Sequence, residues 1–355
     1  MSTHDTAAGP SAPGARLTAG RFLGWMILLL ALLLGAMILA LLLGSTELSL
    51  GAALEGAGPA RVVLLEVRLP RVLLGALVGA GLGASGAALQ AILRNPLADP
   101  FILGVSGGAA LGGTVARALA TGLFGVAGGT LWLGLGSHLA ATAGALGAVA
   151  LTFGIARGAG GARPYALLLA GVVLNAFASA LILFLRAAVA QDKAQELLYW
   201  LIGSLGYPTP LELASVAVLV ICGGVLLSLL GGTLNVLALQ DRGAAVLGID
   251  AERMRLLVIV LTSVIVGTTV SLAGLVGFVG LMVPHFLRLL TGPDHRLLLP
   301  ASLLGGGAFL VLADLSARLL FRFLGTEPPV GVVTAFLGGP FFLWLMRRRG
   351  GSTLT

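Results

Sequence analysis

What most constrains this 355-residue chain is its succession of apolar runs, too many and too long for a water-soluble core. A helix that crosses a bilayer needs about 20 consecutive, mostly apolar residues. Such runs fall at 22–43, 72–93, 101–120, 131–156, 165–186, 211–231, 256–275, 300–321 and 330–346, with a shorter one at 276–291. The spacing predicts about ten spans. Closed barrels are the other way to satisfy a backbone in lipid, and they require alternating polarity. A stretch such as LLLALLLGAMILALLL (28–43) does not alternate. The expected fold class is therefore all-α, a polytopic membrane bundle. Only 10% of residues are charged, against about 25% in soluble domains. Glycine is abundant, and stripes such as Gly75–Gly79–Gly83 and Gly104–Gly108–Gly112 have the spacing that lets membrane helices pack closely.

Residues 1–20 are rich in small and polar types and read as a disordered tail, followed by one membrane domain over 21–349 and a short tail at 350–355. The first run exceeds the roughly 7–15 apolar residues of a signal-peptide core, so it reads as an uncleaved span. Arg16 and Arg21 precede the first span, and Arg347, Arg348 and Arg349 follow the last. With an even number of spans, the positive-inside rule places both termini in the cytoplasm. On that threading, 13 of the 21 Lys and Arg lie on inner segments and 8 on outer ones. The outer exceptions Arg68, Arg71, Arg318 and Arg322 fit either a docking surface for an acidic partner or side chains reaching lipid headgroups. The net charge of +7 reflects orientation, since no dense basic patch suits nucleic acid.

No energy source is visible in the chain. Lys193 is the only lysine and Ala194 follows it, which excludes a GxxxxGK[ST] phosphate loop. Ion-coupled carriers need ionisable groups near the midplane. Asp314 is the deepest carboxylate, and Arg318 lies one turn away on the same face, placed to pair with it. His138 and His285 read as hydrogen-bonded packing residues. There is no HExxH, no GxSxG, no deep carboxylate pair and no metal-ligating cluster, so neither catalysis nor a metal site is expected. Cys222 stands alone, so no intrachain disulfide forms.

Two connections are unusual. In RNPLADP (94–100), Pro96 and Pro100 remove two backbone donors and push the preceding residues toward extended geometry, while Asn95 and Asp99 can satisfy freed backbone groups. That predicts a stiff loop. In LQDRGAAVLGID (239–250), Asp241 can cap a helix start, Gly248 suits the left-handed position that ends it, and Ile249 packs back. The result is a short helix over 242–247, either a lever for another protein or a plain connector.

Blocks throughout residues 20–349 resemble the FecCD-type permeases, the membrane subunits of bacterial ATP-binding-cassette importers for iron–siderophore chelates, haem and vitamin B12. They include RLPRVLLGALVGAGLGASGAALQAILRNPLADPFILGVSGGAALG (68–112), YWLIGSLG (199–206), ALQDRGAAVLGI (238–249), GLVGFVGLMVPHFLRLLTGPDHRLLLP (274–300) and PPVGVVTAFLGGPFFLWLM (328–346). The resemblance implies a ten-span homodimer like the vitamin B12 importer permease, in the bacterial inner membrane. It implies two cytoplasmic ATPase subunits that carry ATP and Mg, a periplasmic binding protein, and no cofactor in this chain. It matches Asn95, Pro96 and Leu97 to a cytoplasmic gate. It matches Asp241, Arg242, Ala244, Ala245, Leu247 and Gly248 to a helix that docks on the ATPase, and Arg68, Arg71 and Arg318 to positions that receive acidic residues of the binding protein. Substrate contacts are expected along 165–186 and 330–336, with Asn175 and Arg186 as polar candidates. A second gate in the family corresponds to GAGGARP (158–164), which lacks the hydroxyls of some relatives. The alternative is an ion-gradient-driven secondary transporter, to which a weak similarity between 79–100 and 274–294 would lend an inverted repeat.

Overall fold

The computed structural model describes residues 17–45, 58–101, 103–120, 136–158, 164–189, 191–239 and 247–350. Among these there is no strand. The helices are α1 (Ala19–Leu42), α2 (Pro59–Ile92), α3 (Val105–Ala120), α4 (Ser137–Gly158), α5 (Pro164–Ala188), α6 (Gln191–Leu201), α7 (Pro210–Leu229), α8 (Gly231–Leu239), α9 (Ala251–Ala273), α10 (Val279–Thr291), α11 (His295–Leu324) and α12 (Val330–Gly350). Seven of them, α1, α2, α4, α5, α7, α9 and α11, are long and apolar enough to cross a membrane. Together with α3, α10 and α12 they account for the ten runs.

The bundle is built around α2, whose most apolar window is 83% buried, whereas that of α1 is 17% buried and faces outward. The glycine stripes explain how α2 fits. A methyl added at Gly79 would run into the carbonyl of Gly306 on α11, and one at Gly306 into the carbonyl of Gly79. Gly83 meets Ser302 on the same seam, and Gly86 meets Gly280 of α10. A second seam joins α3 to α4, with Gly108 on Gly144 and Gly112 on Ala140. Lipid tails are as apolar as leucine side chains, so close backbone approach takes the place of hydrophobic burial in holding such helices together.

Several boundaries differ from the sequence expectation. Thr18 caps α1 by accepting from the Arg21 N–H at 3.3 Å, so the helix starts at Ala19, two residues before the expected start of the membrane domain, and residues 1–16 lie outside the described residues. At the other end α12 runs through Gly350. α2 begins at Pro59 with a π turn over Val63–Arg68, which puts Arg68 and Arg71 within a helix and not at its mouth. α6 and α8 occupy stretches expected to be connections.

Candidate functional site

A cavity of about 730 Å³ opens where helices break off. Its wall comprises Asp99, Phe101, Ile202, Leu275, Gly277, Phe278, Leu281, Gly331, Val332, Ala335 and Phe336. Asp99 is the lone charged group in that wall. The break between α9 and α10 supplies Leu275, Gly277 and Phe278. Non-helical backbone at membrane depth is tolerated where it lines a cavity. Phe278 sits in the left-handed region at φ 67°, a costly place for a bulky residue, with its ring pressed against Gly338 of α12. The opposite wall is tied together through the backbone. Ser204 N–H donates to the Ala273 carbonyl at 2.9 Å, and Gly331 N–H donates to the Gly203 carbonyl at 2.9 Å.

One wall of the cavity is the loop that follows α2. Arg94 occupies the C′ position of a Schellman motif at φ 49°: its N–H donates to the Ala91 carbonyl at 3.2 Å, and Asn95 N–H donates to the Gln90 carbonyl at 3.2 Å. The stiffness expected from the prolines takes the form of side-chain turns. Asn95 Oδ1 accepts from Leu97 N–H at 3.0 Å, and Asp99 Oδ1 accepts from Phe101 N–H at 2.9 Å. Asn95, Pro96 and Leu97 are half-buried. Asp99 is 6% exposed. Burial pushes its carboxyl up to about 6, against the opposing pull of the Phe101 N–H. Asn175 of α5 donates from Nδ2 to the Phe101 carbonyl, so it holds the loop from behind. Neither Asn175 nor Arg186 is part of the cavity wall.

At the end of the bundle where α1 finishes, Arg68, Arg71 and Arg318 are buried. Arg68 Nη1 donates to the Leu41 and Leu42 carbonyls at 2.8 and 3.1 Å, Arg318 Nη1 to the Ala40 carbonyl at 3.0 Å, and Arg322 Nη2 to the Gly44 carbonyl at 3.3 Å. Leu43 N–H takes the Leu39 carbonyl. The carbonyls of Ala40, Leu41 and Leu42, left without partners by the end of α1, are thereby all satisfied by side chains from other helices. Arg71 bonds Asp314 at 2.8 Å and also pairs with Glu327, while Arg318 lies 3.0 Å from Asp314. The expected pairing of Asp314 with Arg318 is present, and Arg71 adds a second cation. Arg68, Arg71, Arg318 and Glu327 border a crevice of about 60 Å³ that also includes Tyr207, whose ring lies 5.9 Å from the Arg71 guanidinium.

Asp241, Arg242, Ala244 and Ala245, and most of the 158–164 stretch, lie outside the described residues. Leu247 is exposed, Gly248 has φ 71°, and Ile249 packs against the main core. His138 bonds the Ser271 hydroxyl, and His285 stacks edge-on with Phe341 at 6.0 Å. Among the described residues no group of His, Cys, Asp and Glu could hold a metal ion.

The model of the FecCD transport family matches residues 29–348. The cobalamin import permease of Halobacterium salinarum is 42% identical over 82% of this chain and 74% of its own. The hemin transport permease of Yersinia pestis is 40% identical over 81% of this chain and 84% of its own. An inward-facing metal-chelate type ABC transporter is similar in structure, with a TM-score of 0.78 and 32% identity over 92% of this chain and 99% of that one. An all-helical membrane bundle around a cavity at broken helices, matched by the family model over residues 29–348 and by relatives at 40–42% identity, this chain belongs to the FecCD transport family.

Proposed function

We propose that this chain is the permease of an ATP-driven importer that carries a metal chelate across the bacterial inner membrane. The observation that carries the reading is the apolar cavity of about 730 Å³, closed on one side by the proline-stiffened 94–101 loop. That volume is in the range of cavities that enclose sizeable ligands. Cargo meets Phe101, Phe278, Val332 and Phe336, in place of Asn175 and Arg186. Asn95, Pro96 and Leu97 form the gate. Two copies of the chain enclose the pathway, with both termini in the cytoplasm. Two ATPase subunits hold ATP and Mg and press on the 241–248 segment. A binding protein docks at the arginine crevice, where its carboxylate competes with Glu327 for Arg71.

The ion-gradient alternative asks Asp314 to take up and release a proton. Asp314 is 1% exposed and its carboxylate is bonded to both Arg71 and Arg318, which shuts it off from solvent and leaves no open site for an ion. The test is uptake into proteoliposomes with the ATPase inside and the binding protein outside. Labelled ferric siderophore, haem and cobalamin are each offered with ATP or with a proton gradient alone. ATP-dependent uptake of one cargo is expected; uptake on the gradient alone overturns the reading.

A further inference from the structure

Arg94 stands where a helix end normally has glycine. The C′ position of a Schellman motif requires the left-handed backbone, which glycine adopts freely and a side chain adopts under strain. Here the position carries an arginine at φ 49°. Its side chain has a definite use. Arg94 Nε donates at 2.9 Å to the Leu237 carbonyl in the last described turn of α8. A cation at a helix C-terminus is also favourable to the helix dipole.

α8 is itself a fixed piece. Leu234 and Leu237 are fully buried. Asn235 donates to Asp294 Oδ1 at 2.6 Å and accepts from the His295 N–H at 2.8 Å, which joins α8 to the start of α11. Two residues after Leu237 the described part of α8 ends, and the sequence continues into the 241–248 segment. On its other side, Arg94 begins the loop whose internal turns hold Asn95, Leu97, Asp99 and Phe101 as one unit, and Asp99 and Phe101 belong to the cavity wall. One hydrogen bond therefore joins the chain leading into the ATPase-facing segment to the cavity wall.

We propose that Arg94 is a positioning residue that links α8 to the gate loop, so that displacement of α8 moves the loop. This rests on the permease reading, in which 241–248 meets the ATPase. Strain at Arg94 is retained because glycine would cap the helix equally well and break the link.

The test uses the complete transporter with its ATPase and binding protein, and three forms of the chain: wild type, Arg94→Gly and Arg94→Lys. Wild-type ATP-dependent uptake tests the permease reading by itself, and the ratio of variant to wild type tests the link. Arg94→Gly should assemble, melt at the same temperature or higher, and hydrolyse ATP within twofold of wild type, while cargo moved per ATP falls at least fivefold. Arg94→Lys, which keeps a donor, should recover part of that loss. Wild-type cargo per ATP in Arg94→Gly overturns the proposal. Failure of Arg94→Gly to assemble also overturns it, because the arginine would then hold the fold and transmit nothing.

Discussion

Replacing Asp314 with asparagine removes the anion at the centre of a buried charge cluster while keeping its shape. Asp314 is 1% exposed, Arg71 lies 2.8 Å from it and Arg318 lies 3.0 Å from it. Removing one member of a buried ion pair strands the other and costs about 3–5 kcal/mol. Arg71 keeps Glu327, whose side chain is 30% exposed and compensates in part. Arg318 keeps only the Ala40 carbonyl among the bonds described above. The expected loss is thus toward the lower end, about 3 kcal/mol. The assay is the midpoint of heat-induced loss of the monodisperse protein in detergent, measured alongside ATP-driven uptake per assembled transporter. Asp314→Asn should melt clearly lower, yet transport per folded transporter should remain. Adding Arg318→Met should cost less than the sum of the two single changes, with a coupling of about 0.5–3 kcal/mol. An unchanged melting point, or strict additivity, would refute the account of the cluster. Lost transport in a fully folded Asp314→Asn protein would refute the structural role and make this carboxylate part of the transport cycle.

Burial holds a proton on Asp99 in the folded chain up to about pH 6, whereas the unfolded chain releases it near the ordinary carboxylate value of about 4. Stability from this group is therefore full below about pH 4 and falls as pH rises through 6, by on the order of 3 kcal/mol. Asp99→Asn should gain on wild type in melting temperature as pH rises from about 4 to 8, with most of the gain complete by about pH 6–7, and parallel pH profiles would contradict this. On the glycine seam, Gly79→Ala drives a methyl into the Gly306 carbonyl and should cost at least about 1–3 kcal/mol, read as a lower melting point in detergent. Gly147→Ala, which meets nothing within 4 Å, should be tolerated, and equal effects at the two sites would disprove the seam.

The spans were legible because a bilayer sets a length, and only sequence of that length and polarity crosses it. The loop at 94–101 was legible because proline acts locally, and the turns at Asn95 and Asp99 close within two residues. The glycine stripes announced close packing but not the partner, since nothing local to Gly79 points to Gly306. The arginines show the limit most clearly. Neither docking nor snorkelling anticipated that Arg68 and Arg318 would complete the end of α1, because those bonds join residues 26 to 278 positions apart. The short helices α6 and α8 escaped for a different reason: neither is long enough to register against a 20-residue criterion. The cavity was hidden by the solvent itself. In water, an apolar residue at the surface stands out against its surroundings, whereas in a bilayer a phenylalanine facing lipid, core or cargo obeys the same rule. Phe101, Phe278 and Phe336 come from three separate apolar runs, and only their convergence on one space distinguishes them from the exposed Phe177 or Phe184. What does separate them is backbone. The wall forms where helices stop, at 94–101, 274–278 and the start of α12, and those stops are the places in the sequence where proline, glycine and a left-handed Phe278 interrupt an otherwise continuous apolar pattern.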